Sequence, residues 1–479
     1  MINNYLERQI KEYFPYQPTF EQDLALKMVA KFLVSTQSET LFLLRGFAGT
    51  GKTSLVAALV QALDALKQKC VLLAPTGRAA KVFALYAHHP AFTIHKMIYR
   101  QRSFDNCTDN FTLADNLQKH TLYVVDEASM IANDGLSGSS FGTGRLLDDL
   151  VHYVYSGEGC RLLLMGDSAQ LPPVGEELSP ALSADALRGY GLQVEEMELT
   201  QVVRQSEASG ILWNATRLRE MIAAEECWSL PKIRITGFPD VRLVNGNELI
   251  EVIEECYSRD GEEETIIVCR SNKRANLYNI GIRNRILWRE EELESGDMLM
   301  VAKNNYYWTE QEEQSSSQER LPDFIANGER AVVRRVRRRH ELYGFRFADV
   351  CITLPDYDDY PLEVTLLLDT LHSEAPALTR EEGDRLFQQA MEDYADIPLK
   401  RDRMKKMKQD PHYNALQVKY AYAVTCHKAQ GGQWRNVFLD QGYLSEEYLT
   451  PDYFRWLYTA FTRATATLYL VNYPKEQTE

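Results

Sequence analysis

The chain has 479 residues, 45% of them hydrophobic and 25% charged, with a formal net charge of −15. That length gives room for two to four domains, each with its own core, while an acidic balance argues against a chain that coats nucleic acid generally and leaves only local basic clusters for such contacts. The sequence has no apolar run of 18 residues, no basic-then-apolar leader and no C-x-x-C pair among its eight cysteines, so a membrane span, a secretory signal, a disulfide framework and a zinc site are not expected; the expectation is a reduced, cytoplasmic protein.

In chain order, Leu41-Phe42-Leu43-Leu44 suits a buried parallel strand. Gly46-Phe47-Ala48-Gly49-Thr50-Gly51-Lys52-Thr53 follows, a phosphate loop of the form G-x-x-x-x-G-K-[ST], and then Ser54 to Leu66 carries the apolar stripe of an amphipathic helix. Glycines turn backbone N–H groups inward on a polyphosphate, and the helix start adds its positive end. Lys52 can reach the terminal phosphates, and the Thr53 hydroxyl can hold Mg²⁺. Nucleoside triphosphate binding is the first expectation, and ATP with Mg²⁺ the expected cofactor pair.

The same pattern of a short apolar run ending in polar residues recurs. Val71-Leu72-Leu73 runs into Ala74-Pro75-Thr76-Gly77-Arg78, Leu122-Tyr123-Val124-Val125 into Asp126-Glu127, and Leu162-Leu163-Leu164-Met165 into Gly166-Asp167-Ser168-Ala169-Gln170. In an open parallel sheet such ends share one rim, where ligands bind. Asp126 is placed to hold the metal beside Thr53, and Glu127 to accept a proton from an attacking water. Between Ile98 and Thr121 a polar stretch, with a turn-rich cluster between Phe104 and Phe111, is compatible with a short hairpin.

Further strands are expected at Ile266–Cys269, Ala421–Val424, Val437–Leu439 and Leu468–Val471, with a helix over Tyr453 to Arg463. This half reads as a second α/β lobe without a phosphate loop of its own, which puts a nucleotide between the lobes. Arg334 to His340 and Lys400 to Lys408 are basic clusters; taken alone they read equally as solvated faces or as a nucleic-acid surface.

In the order of these motifs, from about Phe20 to Ala464, the chain resembles the superfamily-1 DNA helicases of the 5′→3′ RecD-like and Dda-like group. The resemblance implies two RecA-like lobes with parallel sheets, spanning 1–200 and then 201–330 with 412–479. It also implies a hairpin or pin at about 98–120, with Phe104 and Phe111 as its aromatic residues, and an SH3-like β-barrel inserted at 331–411. Thr379 to Met407 is too helical in composition for a minimal barrel, so an added helix is expected there. The implied activity is ATP-dependent translocation on single-stranded DNA with duplex unwinding, in partnership with DNA junctions and with repair or recombination proteins. Two other readings stand beside it: a single-strand-stimulated translocase, and a nucleotide-dependent subunit of a larger repair complex.

Carried over by motif, Gln22 would read the adenine edge, while Gly46, Ala48, Gly49, Thr50, Gly51, Lys52 and Thr53 hold phosphate. Gln170 would sense the γ-phosphate, and Arg204 and Arg463 would reach it from the second lobe. Pro75, Thr76 and His95 in the first lobe, with Thr425 and His427 in the second, would meet DNA. Ala429 and Gln433 depart from the family, which often has serine and glutamate there.

Overall fold

The computed structural model describes every residue except 1, 102–110, 135–140, 203–208, 310–323, 358 and 445–448. The phosphate-loop half is a six-stranded sheet in the order β3-β2-β6-β7-β1-β8, made from β1 (Thr40–Gly46), β2 (Cys70–Ala74), β3 (Ala91–Thr93), β6 (Leu122–Val125), β7 (Arg161–Gly166) and β8 (Gln193–Leu199). Every pairing in it is parallel. Leu41 to Leu44 are fully buried, because helices cover both faces, which is why these strands read as continuous apolar runs rather than alternating ones. Parallel registry brings the carboxyl ends of β1, β6 and β7 side by side, so the phosphate loop, Asp126-Glu127 and Gly166-Asp167 share one edge of the sheet.

An antiparallel pair, β4 (Tyr99–Gln101) and β5 (Phe111–Leu113), leaves this lobe where a hairpin is expected. Phe111 pairs with Gln101 at the last described rung of this ladder and is buried, its ring 5.0 Å from that of Phe141 and 4.4 Å from that of Tyr306 between centroids. Phe111 is thus packed among aromatic rings, and Phe104 lies outside the described residues.

The second sheet is also parallel, ordered β16-β10-β17-β18-β9, from β9 (Val241–Val244), β10 (Thr265–Cys269), β16 (Ala423–Thr425), β17 (Trp434–Asp440) and β18 (Ala464–Val471). Between them lies a closed barrel of β11 (Met298–Val301), β12 (Arg330–Leu342), β13 (Phe345–Leu354), β14 (Tyr360–Leu367) and β15 (Leu416–Tyr420). The barrel thus draws strands from both sides of 331–411: β11 pairs with both β12 and β15 and closes the ring. Of the strand read from the sequence at Ala421–Val424, the last two residues enter β16 of the lobe, while Ala421 and Tyr422 link it to the barrel strand β15. Two helices, Arg380–Asp393 and Lys400–Lys408, pack on the barrel, where composition predicted one.

Strand β12 explains how so many arginines sit together without being buried. Simple alternation would send every second side chain into the barrel, but register shifts between Val333 and Arg335 and between Val336 and Arg338 re-aim them. Arg334, Arg335, Arg337, Arg338 and Arg339 are all exposed as a result. Part of that charge is paired, Arg334 with Asp359 at 3.3 Å and Arg339 with Glu291 at 2.7 Å.

Candidate nucleotide and coupling site

The phosphate loop takes the shape its glycines permit. Gly49 and Gly51 have φ of +77° and +84°, a region that costs residues with a Cβ about 1 kcal/mol or more. Helix Lys52–Ala65 starts directly after them, so its unpaired N–H groups face the loop. Lys52 donates to the Gly46 carbonyl and, at 3.0 Å, to that of Phe47. Behind the loop Gln22 is 3% exposed: its Nε2 donates to the Thr50 carbonyl at 2.9 Å and its Oε1 accepts from Thr19 N–H at 2.9 Å. Gln22 thus buttresses the loop, and these two bonds leave the second Nε2 hydrogen and the second Oε1 lone pair of the amide uncommitted.

Asp126 and Glu127 leave the end of β6 as expected. Desolvation, reinforced by the neighbouring Glu127 carboxylate, pushes Asp126 up to about 7, while Lys52 pulls it down. The Glu127 N–H donates to Asp126 Oδ1 at 2.7 Å, and Glu127 itself has φ of +51°, a left-handed turn unusual outside glycine and a form of strain concentrated at functional sites.

Beyond β7, the segment from Gly166 to Val174 is gripped by the second lobe. Tyr458 donates to Asp167 Oδ2 at 2.6 Å and accepts from the Ala48 N–H of the phosphate loop at 2.9 Å. Thr459 Oγ1 accepts from Leu171 N–H, and Gln430 Nε2 donates to the Leu171 carbonyl, both at 2.9 Å. Gln170 is 7% exposed, and its Oε1 is a buried acceptor without a hydrogen-bond partner among the described residues. From the helix Gly210–Ala223, Arg219 lies over the Phe47 ring at 4.1 Å and donates to the Thr200 carbonyl.

The two arginines expected at the γ-phosphate fare differently. Arg204 lies outside the described residues. Arg463 is 3% exposed, and all three of its donor nitrogens bond within the second lobe, to the Thr459 carbonyl at 3.1 Å, the Gly432 carbonyl at 3.2 Å and Thr462 Oγ1 at 3.2 Å. It follows directly on the helix Pro451–Phe461 that carries Tyr458, so it belongs to the interlobe surface, but in this arrangement it is turned onto its own lobe.

The residues expected to meet DNA divide likewise. Thr76 caps the helix Gly77–Ala87 by accepting from Ala79 N–H. The second-lobe turn at Gly431, with φ of +72°, comes so close that a Cβ there would lie 3.1 Å from Thr76 Oγ1. Half-buried Pro75 and Thr425 and exposed His427 belong to these same two segments. Arg78 bridges them, its guanidinium 4.0 Å above the Trp434 ring and donating to the Gln433 carbonyl at 2.7 Å. His95 stands apart in an aromatic nest with Tyr99, Phe141 and Phe324 at 5.7, 4.8 and 6.2 Å, where desolvation pushes it down to about 4. Burial among these rings favours its neutral form.

Two family models match the chain in the order of the two lobes, an AAA domain over residues 27–226 and a UvrD-like helicase C-terminal domain over 420–471. Together they cover both sides of the coupling contact. In the order of these two matches the chain is similar to the RecD/Pif1-like superfamily-1 helicases. Among its relatives, the ATP-dependent RecD2 DNA helicase of Deinococcus radiodurans is 29% identical over 186 residues, 38% of this chain and 22% of that protein. The ATP-dependent DNA helicase Pif1 of Bdellovibrio bacteriovorus is 27% identical over 158 residues, 33% of this chain and 34% of that one. The chain thus matches a fifth to a third of the length of these relatives. A solved structure of two Pif1 helicases coordinating at forked double-stranded DNA aligns over 97% of this chain and 94% of that one, with 15% identity and a TM-score of 0.49.

Of the residues that sequence reasoning missed, Tyr458 and Thr459 lay inside a quoted motif, masked by its arginine. Gln430 was likewise inside the motif around His427. Arg219 had no signal beyond its place on an amphipathic helix.

Proposed function

We propose that this chain is an ATP-dependent 5′→3′ DNA helicase, in which ATP hydrolysed between the lobes drives stepping along single-stranded DNA. The observation that carries the reading is the position of helix Pro451–Phe461: one second-lobe element touches both the phosphate loop and the Gly166–Val174 segment. A change at the bound phosphates and a change in the angle between the lobes are therefore mechanically linked. The DNA path would run where Thr76 and the Thr425–Gly431 segment meet, so that opening and closing the lobes moves two gripping points relative to each other.

In the chemical step, the Ala48 to Thr53 N–H groups and Lys52 hold the phosphates, and Glu127 takes the proton of the attacking water. Thr53 and Asp126 would fit a divalent cation: a hydroxyl and a carboxylate are hard oxygen donors, and Thr53 closes the phosphate loop after β1 while Asp126 follows β6 on the same edge of the sheet. Bound there, Mg²⁺ would neutralise charge on the phosphates. Gln170, whose buried oxygen has no partner among the described residues, would orient water or phosphate, and Arg463 and Arg204 would stabilise the spreading charge after Arg463 exchanges its carbonyl partners for phosphate. The basic strand of the barrel would flank the emerging strand. No helix among the described residues is long and apolar enough to cross a membrane.

The test is unwinding of 5′-tailed against 3′-tailed duplexes by the purified chain with ATP and Mg²⁺. Separation of the 5′-tailed substrate alone is expected. Single-strand-stimulated turnover without separation would favour the translocase reading, and activity only with a co-purifying protein would favour the subunit reading.

A further inference from the structure

Resting on the reading of residues 46–53 as a nucleotide site, we propose that the Tyr458 hydroxyl is a positioning group that competes with the triphosphate for the phosphate loop. It thereby reports pocket occupancy to the second lobe. The hydroxyl reaches across the interface, accepting from Ala48 N–H at 2.9 Å and donating to Asp167 Oδ2 at 2.6 Å. Ala48 is the third residue of the loop, and a loop of this form cradles phosphate with inward-turned N–H groups. A ligand that takes the Ala48 N–H must displace the tyrosine oxygen from it.

The remainder of the tyrosine is held firmly enough for that displacement to matter. Tyr458 is 1% exposed, and its helix is tied to the first lobe a second time through Thr459 and Leu171. Asp167 is itself 2% exposed and is fixed by accepting from Ala169 N–H at 2.9 Å. With both neighbours fixed, the hydroxyl cannot leave the loop by a free rotation of its ring, so the helix Pro451–Phe461 has to shift. Arg463, two residues beyond that helix, shifts with it. Phosphate entry at Ala48 and release of Arg463 from the Gly432 and Thr459 carbonyls are then two ends of one movement, which would explain why a residue meant for the γ-phosphate is found turned onto its own lobe.

The experiment is titration of the full chain with a fluorescent ATP analogue and with ADP, in the parent and in Tyr458→Phe, which keeps the ring and removes the oxygen. Because binding no longer breaks a hydrogen bond to Ala48, both nucleotides should bind roughly threefold to tenfold tighter. The stimulation of turnover by single-stranded DNA should fall, since the lobe loses its link to the loop. Thr459→Val removes a neighbouring interlobe bond without touching the loop, and should lower Tm with nucleotide affinity unchanged within about twofold. Equal tightening in Thr459→Val would mean that any loosening of the interface suffices and would overturn the proposal. So would an unchanged affinity in Tyr458→Phe while the parent binds well. A parent that binds no nucleotide would overturn the loop reading along with it.

Discussion

Replacing Glu329 by glutamine should make the protein more stable in alkaline solution and leave it nearly unchanged in acid. Glu329 is 3% exposed; its Oε1 accepts from the Tyr357 hydroxyl at 2.8 Å, and its Oε2 is buried without a partner among the described residues. It packs against the first lobe so tightly that a Cβ on Gly77 would lie 2.2 Å from Oε1. The charged groups around it are Asp356, held by Arg330 at 3.8 Å and Lys81 at 3.9 Å, with Arg78 on the same helix as Lys81. Desolvation first, and the Asp356 charge second, push the Glu329 carboxyl from its ordinary 4.5 up to about 8.

A carboxyl whose folded value lies above its unfolded value holds its proton more tightly in the folded state. Its contribution is intact below about 4.5 and is lost as pH rises, levelling off above about 8. At about 1.4 kcal/mol per pH unit, the whole loss has a ceiling on the order of 5 kcal/mol. Denaturant melts of the parent and of Glu329→Gln at intervals from about pH 5 to about pH 9 isolate this group, since every other titration is common to both proteins. The advantage of the glutamine variant should grow by roughly 3–4 kcal/mol across that range. A difference that stays flat, or that grows toward acid, would refute the assignment of a buried, proton-holding carboxyl between barrel and lobe.

Glu127→Gln should retain nucleotide binding while turnover falls by roughly 10² to 10⁴; hydrolysis comparable to the parent would remove Glu127 from the general-base role. Arg463→Ala should lower kcat by about 10³ or more with a much smaller change in nucleotide affinity. If steady-state kinetics show KM alone moving, Arg463 is a packing residue of the second lobe and the charge-stabilising role falls to other groups.

The phosphate loop, its flanking strand and helix, and the acidic pair after β6 were legible in the sequence because each depends on local chemistry. Glycines are needed at 49 and 51 for the backbone to turn, and a fully buried parallel strand must be continuously apolar. The two-lobe plan was legible for the same reason, as a repeated series of such strands ending in polar residues. Barrel closure was not, because β11 has four residues and β15 five, too few for a periodic signal, and they pair only after more than a hundred intervening residues have folded. His95 shows the same limit: the Phe324 ring that helps make it neutral arrives from a distant segment.

What the sequence determined by itself is the strand, glycine turn and helix around Gly46–Thr53 and the acidic pair after β6, since such local structure is dictated by residue type and by spacing along a few turns of chain. Which second-lobe atom lies against that loop was decided only by the tertiary structure. Tyr458 and Arg463 are separated by one turn and a half of backbone, and only the docking of helix Pro451–Phe461 on the phosphate loop and the segment after β7 turns the hydroxyl toward Ala48 while the guanidinium stays on its own lobe.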